Sequence, residues 1–187
     1  MLQDASNAGV APGGLTNRTE IRVLICYLLN ALNQPVPSPF LTEKLAAEGI
    51  ANYFELCEAV SDLEENGNIA SLVDAEGNKT FFITPSGADI AATLERTVPN
   101  VIRDRACSYI VKLLNRVRSE KENEVRIEKE SKGVRVTCRV LDGTREMMSV
   151  SLLVPNEACA KTVKESFLND PTETFIKVTE ALLDHKL

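Results

Sequence analysis

Apolar side chains at Ile21, Leu24, Ile25, Leu28, Leu29 and Leu32 recur at helical spacing, and Thr16 is placed to cap them. They predict a first helix running to about residue 32. Pro35, Pro37 and Pro39 then break the chain, and Ser38-Pro39 reads as an N-cap followed by proline at the first helical position, opening a second helix over about 39–47 that Gly49 stops. In NYFELCEAVSDLEENG, residues 52–67, Leu56, Val60 and Leu63 form one apolar stripe; Asn52 with Glu55 three residues on resembles a capping box, and Gly67 supplies the stop. The period then changes from helical to strand-like. Two apolar runs in IASLVDAEGNKTFFIT flank Gly77-Asn78, a two-residue hairpin signal that sets Glu76 opposite Lys79. Pro85 or Ser86 opens a fourth helix.

The later part of the chain repeats the change of period. Ile102, Ala106, Ile110, Leu113 and Val117 predict a long helix over about 99–119. Val134, Val136, Cys138 and Val140 alternate with Arg135, Thr137 and Arg139, a half-buried strand between the turns Lys132-Gly133 and Asp142-Gly143. A strand precedes it and another follows over 146–154. Asn156 begins a helix, Pro171 interrupts it, and 172–185 closes the chain as a last helix. The expected class is α+β: an N-terminal winged helix-turn-helix, then a small antiparallel three-stranded sheet with helices on one face. Residues 1–15 are expected as a flexible tail, 16–97 as the winged-helix domain and 98–187 as the α+β domain.

Charge sharpens this division. Residues 1–97 hold 5 basic and 13 acidic side chains, whereas 98–187 hold 16 and 14. Residues 41–76 hold nine acidic side chains against Lys44 alone. The third helix, which would read DNA in a winged helix, carries Glu55, Glu58, Asp62, Glu64 and Glu65 and no Lys or Arg. Glu55 suits the first turn, where the helix dipole favours a carboxylate. The dipole does not explain Asp62, Glu64 and Glu65 at the other end.

Candidate chemistry is sparse. The five cysteines, at 26, 57, 107, 138 and 159, contain no CxxC pair, which argues against zinc and suits mostly buried free thiols in a cytoplasmic protein. His185 is the one histidine, two residues from the C-terminus. No glycine-rich phosphate loop or nucleophile–base pair appears, so no catalytic residue, metal ligand or cofactor is expected. The apolar runs are too short to span a bilayer.

The segments IRVLICYLLNAL, ANYFELCEAVSDLEENGNI, EGNKTFFITPSG, TVPNVIRD and SVSLLVP together resemble the bacterial winged-helix proteins of domain-of-unknown-function family 4364, found mainly in Clostridia-like bacteria. The resemblance covers roughly residues 16–185. It implies an N-terminal winged helix and a regulator-type role, and it carries over no catalytic residue.

Two functions follow as expectations. The preferred one is a transcriptional regulator binding double-stranded DNA as a homodimer. Its candidate contacts are Arg18 and Arg22 on the first helix, Lys44 on the second, Asn52 and Tyr53 at the start of the third, and Asn78 and Lys79 in the wing. Asn52 is expected first as an N-cap, Tyr53 first as a core residue, and Lys79 equally as the partner of Glu76. Affinity for DNA rests mainly on Lys and Arg, and the third helix lacks them. The alternative is a protein-interaction module in which Glu58, Asp62 and Glu65 meet a basic protein partner.

Overall fold

The computed structural model describes residues 10–73 and 77–183. Among them lie seven α-helices and two three-stranded antiparallel sheets, an α+β protein. The chain packs as two compact units that divide between Val111 and Lys112.

The first unit is built around helix α1 (Arg18–Leu32), in which Ile21, Val23, Leu24, Ile25, Cys26, Leu28 and Leu29 are all buried. A helix apolar on so many sides belongs in a core rather than on a surface. Its cap is Asn17, not the expected Thr16. The Asn17 Oδ1 accepts from the amides of Thr19 at 2.8 Å and Glu20 at 3.3 Å. Asn33 ends the helix in the left-handed region, at φ 47°. Ala11 and Leu15 donate backbone hydrogen bonds to Gly49 and Ile50, and Leu15 is buried. The described part of the expected tail is therefore held against the chain.

The proline-rich turn holds a strand that periodicity missed. Strand β1 (Val36–Pro37) pairs with a later strand, so Val36 lies opposite Phe81. Two residues between prolines are too few for an alternating pattern to register. The expected second helix is present but irregular: Ser38 is already helical rather than a cap, and a π-helical turn, Phe40–Lys44, leads into the short helix α2 (Leu45–Ala47).

Helix α3 (Tyr53–Glu65) follows the reading of its sequence closely. The Asn52 side chain caps it, accepting from the Phe54 amide at 2.8 Å, and Leu56, Ala59, Val60 and Leu63 are buried. Gly67 takes φ 70°, and the amides of Gly67 and Asn68 return to the carbonyls of Glu64 and Leu63. Those bonds satisfy orphan carbonyls and turn the chain into the next strand.

Strands β2 (Ile69–Val73) and β3 (Lys79–Ile83) form the expected hairpin in a different register. Val73 faces Lys79, the position expected for Glu76. Glu76 lies outside the described residues. The sheet order is β1-β3-β2. Helix α4 (Pro85–Leu94) is capped by Thr84 and opened by Pro85, and a 3-10 turn, Glu95–Thr97, follows.

Helix α5 (Asn100–Glu122) is longer than periodicity suggested. Ile102, Ala106 and Ile110 of its stripe are buried, while Leu113 and Val117 are half-buried. In the second unit, β4 (Glu124–Glu130), β5 (Gly133–Asp142) and β6 (Arg145–Val154) form a meander in the order β4-β5-β6. Val134, Val136 and Cys138 on one face of β5 share a core with Ala160, Phe167 and Leu168 of helix α6 (Glu157–Asn169). The opposite face is polar. There Arg139 bridges Glu124 at 2.5 Å and Glu146, and Arg135 pairs with Glu130. Helix α7 (Pro171–Leu183) closes the described chain, and His185 lies beyond it.

Candidate macromolecular interface on helix α3

The acidic helix does not stand alone. Arg18 on α1 reaches Glu55 at 3.1 Å and Glu58 at 2.6 Å. One turn further along, Arg22 pairs with Asp62. The pairs 18–58 and 22–62 share one offset of 40 residues, so the arginines and the carboxylates, both spaced i,i+4, meet rung by rung. On the other flank of α3, Lys79 on β3 bonds Glu64 at 2.6 Å, and the Ser71 hydroxyl donates to the same carboxylate. These two partners, Lys79 first, hold the Glu64 carboxyl below its ordinary pKa. The Lys79 ammonium also lies 4.9 Å from the centre of the Phe81 ring.

The two sets of candidate residues therefore converge. Arg18, Arg22 and Lys79, expected as DNA contacts, are the counter-ions of Glu58, Asp62 and Glu64. Residues Asp62 and Glu64, which the helix dipole does not explain, are explained by Arg22 and Lys79. Glu65 accepts from Ser61 at 3.3 Å and stays exposed. Lys44 is exposed and makes no ion pair among the described residues. Asn78 is exposed in the connection before β3. Asn52 is buried in its capping role.

Tyr53 departs from its expected place in the core: it is 42% exposed. Its neighbour Phe54, which sequence reasoning passed over, is 76% exposed, and the two rings meet edge to face with centroids 5.6 Å apart. The signal was available. Phe54 lies two residues before Leu56, about 200° round a helix that turns about 100° per residue, opposite the buried stripe. The Cys57 thiol, bonded to the Tyr53 hydroxyl, raises the phenol pKa, and Glu43 adds to the effect. The outward surface of α3 is thus an aromatic pair at its start followed by Glu58, Ser61 and Glu65, with no cation of its own.

Other arginines of the first unit are also engaged. Arg103 bridges Glu95 at 3.3 Å and stacks over Tyr27, and Arg105 pairs with Glu48 at 3.3 Å. Among the described residues, no group of His, Cys, Asp and Glu converges as metal ligands, and no helix is long and apolar enough to cross a membrane.

Neither a curated protein nor a solved structure matches the chain. The sequence model of one family does match, over residues 21–182. The chain therefore belongs to the family described as Domain of unknown function (DUF4364).

Proposed function

We propose that the first unit is a winged helix used for protein contact, with the outward face of α3 docking on a basic protein surface. The observation that carries this reading is Phe54, 76% exposed beside Tyr53 on a helix whose remaining outward groups are acidic or neutral. Aromatic side chains are enriched at the buried centres of interfaces, and a charged rim sets orientation and on-rate. The nearest cations are already spent on the α3 carboxylates. Binding phosphates through Arg18, Arg22 or Lys79 means breaking those pairs first.

The order helix, helix, helix, hairpin, helix and the exposed Lys44 favour a second reading, a DNA-binding regulator acting as a homodimer. One experiment separates the two. A photo-crosslinking residue at Phe54 in the intact chain, expressed in its own cell, captures a defined protein if the first reading holds. That adduct weakens on Glu58→Gln with Glu65→Gln. Purified wild-type chain then retains no genomic fragment at low salt. Retention of specific fragments, with crosslinks from position 54 to DNA, overturns the protein-contact reading and establishes the regulator.

A further inference from the structure

We infer that the outer edge of strand β6 seats a second copy of this chain, strand to strand across a two-fold axis. The inference gives a surface to the homodimer proposed above. It is otherwise independent of what α3 binds.

The two edges of the second sheet differ. Strand β4 carries Glu124, Arg126, Glu128, Lys129 and Glu130, the charged dressing by which an edge resists pairing. Strand β6 opens with Arg145-Glu146 and then reads MMSVSLLV from Met147 to Val154, an uncharged run. Met147, Leu152 and Leu153 stand 45%, 45% and 47% exposed. Among the described residues nothing pairs with the outer side of β6. An outer strand presents a row of unused N–H and C=O groups, so a long uncharged edge is a template for another strand. An open cleft of about 390 Å³ borders the same strand, lined by Val150, Leu152 and Phe167 together with Asp170, Glu173 and Lys177. The outer edge and this open cleft thus lie side by side.

The pattern along β6 favours a second copy over a foreign strand. Met148, Val150, Leu152 and Val154 lie opposite Val140, Cys138, Val136 and Val134, and so share the core face. In an antiparallel two-fold pair, residues facing one another across the axis belong to the same face. All four of these positions are apolar, so every symmetric register sets apolar against apolar there. The other face offers Ser149, Ser151 and Leu153, again without charge. From Met147 to Val154 nothing along the edge repels its own copy; the charges of β6, Arg145 and Glu146, lie at one end, where Arg139 engages Glu146. The result is one six-stranded sheet running from β4 to the partner's β4.

Sedimentation velocity of the full chain at micromolar concentration, paired with amide hydrogen exchange, tests this. The expected result is a dimer in which every amide from Met148 to Val154 is protected, with protection falling on dilution. A dimer whose alternate β6 amides exchange as fast as a free edge overturns the inference and leaves the homodimer standing. A monomer overturns both. Ser149→Lys with Ser151→Lys sets like charges across the axis from the exposed face and is expected to weaken dimerisation by about tenfold or more, with circular dichroism unchanged. Glu128→Lys on β4 is expected to leave dimerisation unchanged, and a loss there as large as from the β6 pair overturns the edge assignment.

Discussion

If the α3 carboxylates are held by α1, then Arg22 and Asp62 must be energetically coupled. The perturbation is a double-mutant cycle of Arg22→Gln, Asp62→Asn and both together. The two side chains are 37% and 33% exposed. At 4 Å, opposite charges attract by about 1 kcal/mol in water and about 4 kcal/mol near a protein surface. Exposure to solvent and the entropy of fixing two side chains reduce this to a coupling of about 0.5–1 kcal/mol. Each single change costs more than the coupling, about 1–2 kcal/mol, because it strands a half-buried charge. The double variant recovers part of that loss. The chain has three tyrosines, at 27, 53 and 109, and no tryptophan, so tyrosine fluorescence during urea unfolding reports the first unit alone. With an m-value of about 2 kcal/mol per molar, 1 kcal/mol moves the midpoint by about 0.5 M. At about 1 M salt the Debye length falls to about 3 Å and most of the coupling should vanish. A coupling of zero at low salt, or one that high salt leaves untouched, refutes the ladder.

Three further outcomes are expected. A Cβ at Gly87 meets the Asn68 carbonyl oxygen at 2.1 Å and the Ile83 Cδ1 at 2.6 Å, so Gly87→Ala should destabilise the first unit by about 1–3 kcal/mol by the same fluorescence assay. Because Lys79 and Ser71 lower the folded-state pKa of Glu64, the resulting stability is full above the ordinary carboxylate value of 4.5 and is lost as pH falls through the depressed one. Lys79→Met should flatten that acid limb of the unfolding midpoint. Of the five free cysteines, Cys159 is exposed, Cys57 and Cys107 are intermediate, and Cys26 and Cys138 are buried. Burial pushes the Cys26 thiol up to about 11. Mass spectrometry of native protein should therefore show Cys159 alkylated first and Cys26 last, with all five modified after denaturation.

Helix α3 was legible from the chain almost to the residue, because Asn52, the Leu56–Leu63 stripe and Gly67 each act within one helix. The same holds for β5, whose alternation of valine and arginine states which face is buried. The sequence also contained the rule by which the acids are neutralised, Arg18 and Arg22 at i,i+4 against Glu58 and Asp62 at i,i+4. Nothing local says that these two rows face one another. That depends on how α1 and α3 pack, and only the tertiary structure settles it. The hairpin register is a similar case. Gly77-Asn78 is a strong local turn signal, but the pairing of β3 with both β2 and β1 fixes Val73 opposite Lys79. Strand β1 has no local signal at all, since two residues acquire a strand conformation only from the partner they meet. Periodicity records which side of an element is buried. Which charges meet across two elements is a property of packing, and in this chain that converts an apparently uncompensated acidic helix into one held by its neighbours.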